Sequence, residues 1–283
     1  MANAILLISC PDQRGITASV TGFIYQHSGN IISADQHIDE QTNTFFMRVE
    51  WSLEKFSVAR HNIEKVFSPI AKKFRMKCAL HFTDTATRAA IFVSQHLHCL
   101  QDLLFRYQSG QLVCQIPVIF SNHPGAKKIA RDFHIEYVQL PITKSNKPAQ
   151  EKKQLAILAQ KKIDLIILAR YHQILSPAFV ERYEQKIVNI HHSFLPAFAG
   201  QNPYAQAYQK GVKIIGATSH YVIAKLDQGP IIDQDTVRIS HRDVLADLKR
   251  KGEDLEKIVL SRSVRWHLKH KILCYNNKTV VFD

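Results

Sequence analysis

The chain has 283 residues, of which 46% are hydrophobic and 22% are charged, as in an ordinary globular protein. This length exceeds the usual size of a single domain, so we expect two. No apolar run approaches the ~20 residues that a membrane span needs, and the first residues lack the regions of a signal peptide. The five cysteines are widely spread without a Cys-x-x-Cys pair, which argues against a disulfide framework or a structural zinc site. We therefore expect a reduced, cytoplasmic protein with no membrane association.

The formal net charge of +13 lies almost entirely beyond residue 84, since residues 1–84 contain 9 Lys/Arg and 8 Asp/Glu. A nucleic-acid binder would usually cluster such charge and interleave aromatic residues with it. Here the basic pairs, such as Lys127-Lys128 and Lys161-Lys162, are scattered over separate predicted elements. We interpret the charge as solvated surface and expect no nucleic-acid partner. A positive field would also attract an anionic substrate.

The first 82 residues alternate in the order strand, helix, strand, strand, helix, strand. Hydrophobic periodicity predicts strands over 3–9, 31–38, 44–51 and 76–82, and amphipathic helices over 16–27 and 56–74. Gly29 suits the left-handed conformation that ends the first helix. This βαββαβ order is the ferredoxin-like pattern. A polar linker at about 83–88 follows, so we place domain boundaries at 1–84 and 85–283.

The second part alternates strands and helices, which indicates a Rossmann-like, mostly parallel sheet with right-handed crossovers. Strands are predicted over 89–93, 113–120, 137–140, 164–169 and 186–190, with helices between them. A strand pair over 212–222 and 230–239, a long helix over 243–267 and a terminal hairpin over 272–275 and 279–282 complete the order.

Polar residues end the strand that finishes at Ile190. Asn189 and His191 are two residues apart, so they point to the same face of an extended strand. A carboxamide donor beside an imidazole suits a carbonyl reaction, in which one group holds the oxyanion and the other moves a proton. Asp227, in a Gly/Pro turn, is the type of group that orients a catalytic histidine. The alternative is that these are an ordinary strand-end histidine and turn aspartate.

The motifs Asn189-Ile190-His191-x-Ser193-x-Leu195-Pro196 and Leu226-Asp227-Gln228-Gly229-Pro230 resemble the signature of formyl-folate-dependent transferases and hydrolases. The longer stretches VNIHHSFLPAFAG, NPYAQAYQKGVKIIGATSHYV and LDQGPIIDQD are similar to the formyltetrahydrofolate deformylase family, nearly end to end. The N-terminal ISCPDQRGITASVTGFI resembles an ACT domain. This resemblance implies that Asn189, His191 and Asp227 are catalytic, with His192 in support.

The resemblance also implies a folate pocket after the apolar strand that ends at Ala169. By position, its lining would come from two segments, comprising Tyr171, His172, Gln173 and Leu175, and Val222, Ile223, Ala224 and Lys225. The family often has Met where His172 lies, and polar residues where Ile223, Ala224 and Lys225 lie. Ile174 and Leu175 are alternatively core residues.

The loop after the first strand of the second part distinguishes hydrolase from transferase. Related transferases carry a Gly-rich loop there, whose backbone N–H groups hold a phosphate. Here the position reads Ser94-Gln95-His96-Leu97-His98-Cys99, without glycine, which favours water as the acceptor. His96 and His98 lack a nearby third ligand, so we predict no metal site.

The resemblance implies hydrolysis of 10-formyltetrahydrofolate to formate and tetrahydrofolate, without a cofactor, supplying formate for purine synthesis. The alternatives are formyl transfer to an amine, or a non-catalytic folate and amino-acid sensor. In ACT domains the first turn binds small amino acids, which makes Asp12, Arg14 and Gly15 candidate effector-binding residues, with glycine or methionine as effector. The resemblance also implies a homodimer or homotetramer.

Overall fold

The structure is a computed structural model that describes residues 2–196 and 203–283. Residues 197–202, which close the VNIHHSFLPAFAG motif and include the first residue of the next, lie outside the described residues. The chain divides into two compact units, one containing the chain up to Ala86 and the other containing Thr87–Leu268. In the part that the structure describes, none of the helices is long and apolar enough to cross a membrane.

The N-terminal unit is a four-stranded antiparallel sheet with two helices on one face. Its elements are β1 (Asn3–Pro11), α1 (Ile16–Gln26), β2 (Asn30–Asp39), β3 (Thr44–Ser52), α2 (Ile63–Lys73) and β4 (Lys77–Phe82). The strand order is β2-β3-β1-β4, so the predicted ferredoxin-like fold is confirmed. The core between sheet and helices includes the fully buried residues Val20, Val49 and Trp51.

The second helix begins seven residues later than the periodicity predicts. Phe56 lies in a loop instead, where its ring packs against Phe23 and Trp51 at centroid distances of 6.1 and 5.6 Å. The backbone N–H of Ser57 donates to the carbonyl of His27 at 2.9 Å. These tertiary contacts replace the helical hydrogen bonds that the local pattern favours, because they partly bury an aromatic ring.

The second unit contains a seven-stranded sheet flanked by helices. Its elements are β5 (Arg88–Val93), α3 (His98–Gln108), β6 (Gln115–Ser121), α4 (Lys127–Asp132), β7 (Glu136–Gln139), α5 (Lys147–Gln160), β8 (Leu165–Ala169), α6 (Pro177–Arg182), β9 (Ile187–His191), α7 (Pro203–Gln209), β10 (Ile214–Tyr221), β11 (Ile231–Arg238) and α8 (Leu245–Leu268). Five strands are parallel, and β10 and β11 are antiparallel to their neighbours, which confirms the predicted mostly parallel sheet.

The strand order of this sheet creates a crevice. The order is β11-β10-β9-β8-β5-β6-β7, so β6 and β7 lie on one side of β5 while β8 and β9 lie on the other. Ligands in open α/β sheets bind outside the carboxyl ends of the strands where the order reverses. The segments after β5, β8 and β9 are therefore brought to one place, although they are far apart in sequence.

The chain ends in a hairpin of β12 (Ile272–Tyr275) and β13 (Lys278–Val281). The sequence analysis places this hairpin in the second domain, but only part of it belongs to the second unit. Lys269–Tyr275 and Val280–Asp283 cluster with the N-terminal unit, whereas Asn276–Thr279 cluster with the second. The physical reason is apolar burial, because Phe282 packs in one cluster with Leu7 and Phe46. The Phe46 and Tyr275 rings lie 4.4 Å apart.

Candidate active site

A cavity of about 500 Å³ lies at the carboxyl ends of β8 and β9. Its walls include all three predicted catalytic residues, Asn189, His191 and Asp227. Seven of the eight predicted folate-pocket residues also line it, namely Tyr171, His172, Gln173, Leu175, Val222, Ile223 and Ala224. The eighth, Lys225, is exposed and lies between the lining residues Ala224 and Leu226, and its role in substrate binding stays a prediction.

The catalytic candidates meet as the strand geometry predicts. His191 ends β9, is 6% exposed, and places Nδ1 3.4 Å from Oδ2 of Asp227. Its other ring nitrogen, Nε2, is buried and has no hydrogen-bond partner among the described residues. The ring is therefore oriented by a carboxylate at one end, and its opposite nitrogen is free for proton transfer at the cavity surface.

Asp227 reaches His191 from a tight turn between β10 and β11. It adopts a left-handed backbone with φ of 53°. Two residues later, Gly229 passes so close to β10 that a Cβ atom there would lie 1.7 Å from the backbone oxygen of Tyr221. Only glycine fits this approach, so the Gly/Pro turn noted in the sequence is what brings the carboxylate over the strand end.

The pKa of Asp227 is set by competing effects. Burial raises it, but the hydrogen bond and the electrostatic attraction between this carboxylate and His191 lower it, and the pKa lies well below its ordinary value. The carboxylate is therefore ionised throughout the neutral range. A fixed negative charge beside the imidazole stabilises its positively charged form.

His220 is a site residue that the sequence analysis missed. It lies on β10 directly opposite Asn189 of β9, and Asn189 Nδ2 lies 3.1 Å from His220 Nε2. His220 Nδ1 lies 2.9 Å from the backbone oxygen of Tyr221, so this nitrogen carries the proton and Nε2 accepts from Asn189. Its Nε2 is 3.7 Å from Oδ1 of Asp227. Only the strand register, which the sequence does not show, reveals this contact.

His192 also lines the cavity, although adjacent residues of a strand would point to opposite faces. The difference arises because β9 ends at His191, so the alternation does not extend to the next residue. The two rings lie 5.2 Å apart. Burial, reinforced by the nearby Arg170 charge, lowers the pKa of His192 to about 3, so this ring is neutral at neutral pH.

The segment after β8 forms the other wall. Tyr171 is buried, packs 5.2 Å from Phe92, and its hydroxyl accepts a hydrogen bond from Gln154 at 3.1 Å. Leu175 belongs to the same core cluster, whereas Ile174 is 58% exposed. The alternative core assignment thus holds for Leu175 but not for Ile174. Burial and the Arg170 charge lower the pKa of His172 to about 4.

The buried carboxylate of Glu256, on α8, contacts residues from three other parts of the chain. Glu256 is fully buried and contacts Nε2 of His98 at 2.7 Å, Nε of Arg170 at 3.4 Å and the hydroxyl of Tyr204. His98, Cys99 and Glu256 place metal-ligand atoms within 4.8 Å of one another. Burial raises the pKa of Cys99 well above its ordinary value, which keeps the thiol protonated. The expectation that no metal binds here stays a prediction.

The candidate effector residues lie in the turn between β1 and α1 of the N-terminal unit. Gly15 has φ of 89° at the start of α1, which explains the glycine there. The backbone N–H of Asp12 donates to the carbonyl of Asn43 at 2.9 Å, and Arg14 is exposed. A role in binding an amino acid stays a prediction.

Comparison with known proteins agrees with this architecture. The ACT domain model matches residues 4–51, and the Formyl transferase model matches residues 87–264. The chain is 55% identical to formyltetrahydrofolate deformylase of Synechocystis sp. over 279 residues, covering 99% of this chain and 98% of that protein. It resembles the crystal structure of a formyltetrahydrofolate deformylase from Pseudomonas syringae pv. tomato with a TM-score of 0.97 and 41% identity, covering 100% of this chain and 95% of that one.

A more distant similarity covers less of the chain. The structure of glycinamide ribonucleotide transformylase 1 from Symbiobacterium toebii matches with a TM-score of 0.66 and 26% identity, covering 72% of this chain and 98% of that one. Fold and site thus define a protein that joins an ACT domain to a formyl transferase domain. The chain belongs to the formyltetrahydrofolate deformylase family, which confirms the resemblance noted in the sequence.

Proposed function

We propose that this protein hydrolyses 10-formyltetrahydrofolate to formate and tetrahydrofolate, with Asn189, His191 and Asp227 as its catalytic residues. The observation that carries the proposal is that these three side chains, separated in sequence, line one cavity with His191 held against Asp227. The relatives named formyltetrahydrofolate deformylase support the reaction itself.

The roles of the three residues follow from what each can donate or accept. Water adds to the formyl carbon, and the carbonyl oxygen becomes negatively charged. Asn189 directs one N–H to His220, which leaves its second N–H for that oxygen. Collapse of the intermediate breaks the bond between carbon and N10, and His191 Nε2 gives the leaving nitrogen its proton. The proton that the added water loses returns to His191 Nε2 and restores the imidazolium.

Asp227 has two tasks in this mechanism. It stabilises the protonated form of His191, and its carboxylate positions the attacking water by accepting a hydrogen bond. The formic acid produced ionises to formate. Since the carbon keeps its oxidation level, the reaction needs no redox cofactor, and we propose that the protein uses no cofactor.

Acceptor choice tests the proposal directly. Purified protein is incubated with 10-formyltetrahydrofolate, and formate and tetrahydrofolate are quantified with and without a small primary amine. Hydrolysis predicts stoichiometric formate and tetrahydrofolate at a rate independent of the amine. Formate release that begins only after an amine is added, or formylation of the amine, would favour the transferase alternative. Folate binding without turnover would favour the sensor.

We further propose that the N-terminal unit binds an amino acid, glycine or methionine, at Asp12, Arg14 and Gly15, and that the protein is a homodimer or homotetramer. The ACT domain match over residues 4–51 supports the first point. Formate release would serve purine synthesis and balance the one-carbon folate pools. Titration with each amino acid, followed by calorimetry, and sedimentation velocity of the full chain test these two proposals.

A further inference from the structure

We propose that Arg170 forms a carboxylate subsite in the catalytic cavity that receives the product formate. This inference rests on the proposed function and adds a binding group to it. The side chain of Arg170 is 9% exposed and lies in the cavity wall at the end of β8. Its backbone is left-handed, with φ of 62°, which is uncommon for a residue other than glycine.

The guanidinium of Arg170 is buried but poorly satisfied. Its Nε has no hydrogen-bond partner among the described residues, and its ion pair there is the 3.4 Å contact with Glu256. The terminal nitrogens likewise have no hydrogen bond within the described part of the chain. A guanidinium carries five N–H donors, and buried donors almost always have partners. Donors left open toward a cavity therefore point to a ligand with acceptor oxygens.

The contact with Glu256 positions the guanidinium of Arg170 but leaves hydrogen-bond donors of the guanidinium available. This carboxylate already accepts hydrogen bonds from His98 and Tyr204, and its shortest contact with Arg170, at 3.4 Å, is with Nε. The two terminal nitrogens of an arginine form a planar pair of donors that matches the two oxygens of one carboxylate. That pair remains available while Nε stays beside Glu256.

The cavity offers an anion no other permanent positive charge. Among the described residues that line it, Arg170 is the sole lysine or arginine. Burial first, and then the charge of Arg170, lower the pKa of His172 and of His192, so both rings are neutral at neutral pH. A carboxylate formed in this cavity would therefore be attracted chiefly to Arg170.

Two sources of carboxylate occur in the proposed reaction, the product formate and the glutamate tail of the folate. Formate is generated inside the cavity and is small enough to reach a guanidinium that is nine-tenths buried. The tail carries two charged carboxylates on a flexible chain, and burying it would remove both from water at high cost. The geometry therefore favours formate.

The test is a titration of the full-length protein, without folate, with ¹³C-formate monitored by NMR line broadening. Wild-type protein is expected to show saturable binding. Arg170→Gln should weaken formate binding at least tenfold, and Arg170→Lys should fall between, because a lysine supplies charge without the paired donors. Lys186→Gln, which removes the same charge from an exposed position just before β9, should bind formate like wild type.

The outcomes separate this inference from the proposed function. If Arg170→Gln binds formate as tightly as wild type does, the subsite is overturned. It is also overturned if the wild-type protein hydrolyses its substrate but shows no saturable formate binding. A raised KM for the folate substrate with unchanged formate affinity would assign Arg170 to the tail instead, and also overturns it. If Arg170→Gln fails to fold, Arg170→Met combined with Glu256→Gln removes both buried charges and should abolish formate binding. Failure of the proposed function appears independently, as no formate from 10-formyltetrahydrofolate.

Discussion

Replacing Asp227 by asparagine removes the charge that holds His191 while keeping the size of the side chain. The carboxylate oxygen lies 3.4 Å from His191 Nδ1. At an effective dielectric constant of about 20, two unit charges at that separation attract by about 5 kcal/mol. The side chain is 21% exposed, so water entering the mutant site would recover part of this energy.

We therefore expect Asp227→Asn to raise the barrier by about 3 kcal/mol, which corresponds to a loss in kcat of about 100-fold. The KM should change little, because the lost interaction acts on the imidazolium that forms during the reaction. Initial rates of formate release over a range of substrate concentrations measure both constants. Asp235→Asn, which removes a carboxylate of β11 that pairs with Arg262, is the control.

A kcat for Asp227→Asn within threefold of wild type would refute the orienting role of this carboxylate. The same conclusion would follow if Asp235→Asn lost as much activity as Asp227→Asn, because the effect would then reflect general charge loss.

Three other predictions concern the same site. Folding lowers the pKa of Asp227, so the stability that its carboxylate contributes is present above the unfolded pKa of about 4 and is lost as the pH falls below that value. The melting temperature of Asp227→Asn should therefore be lower than that of wild type at pH 7, and the difference should close below about pH 4. A difference that widens below pH 4 contradicts this prediction. Gly229→Ala brings a Cβ within 1.7 Å of a backbone oxygen of β10 and should reduce kcat at least about 100-fold. The control is Gly125→Ala, whose Cβ would lie at an ordinary 3.7 Å from Leu97 and should leave kcat unchanged. Equal rates for the two variants would refute the close approach at Gly229. His220→Ala should lose activity through Asn189, so the double variant with Asn189→Ala should be no slower than Asn189→Ala alone, and additive losses would show that His220 acts independently.

The sequence allowed much of the fold to be predicted because hydrophobic periodicity is a local property. The alternation of strands and helices after residue 88 requires a parallel sheet, and Asn189 and His191 share a face whenever that strand is extended. Conversely, Phe56 was expected in a helix because its neighbours fit the pattern. Its contacts with Phe23 and Trp51 come from distant parts of the chain and override that local preference.

The remainder of the site depends on register and on long-range packing. His220 meets Asn189 only because β10 pairs antiparallel with β9 in one particular register. Arg170 gains its place in the cavity wall from a left-handed backbone and from Glu256, which lies 86 positions further along the chain. Neither contact has a sequence pattern of its own.

The adjacent histidines provide the most direct test of the catalytic arrangement. Both rings line the cavity, yet only His191 contacts Asp227, and burial keeps His192 neutral. The measurement is the single-turnover rate of formate release by His191→Ala and His192→Ala, each compared with wild type. We predict that His191→Ala loses at least about 1,000-fold, since it removes the proton donor and its charge, while His192→Ala loses about tenfold or less. Equal losses, or a greater loss in His192→Ala, would contradict the assignment of catalysis to His191.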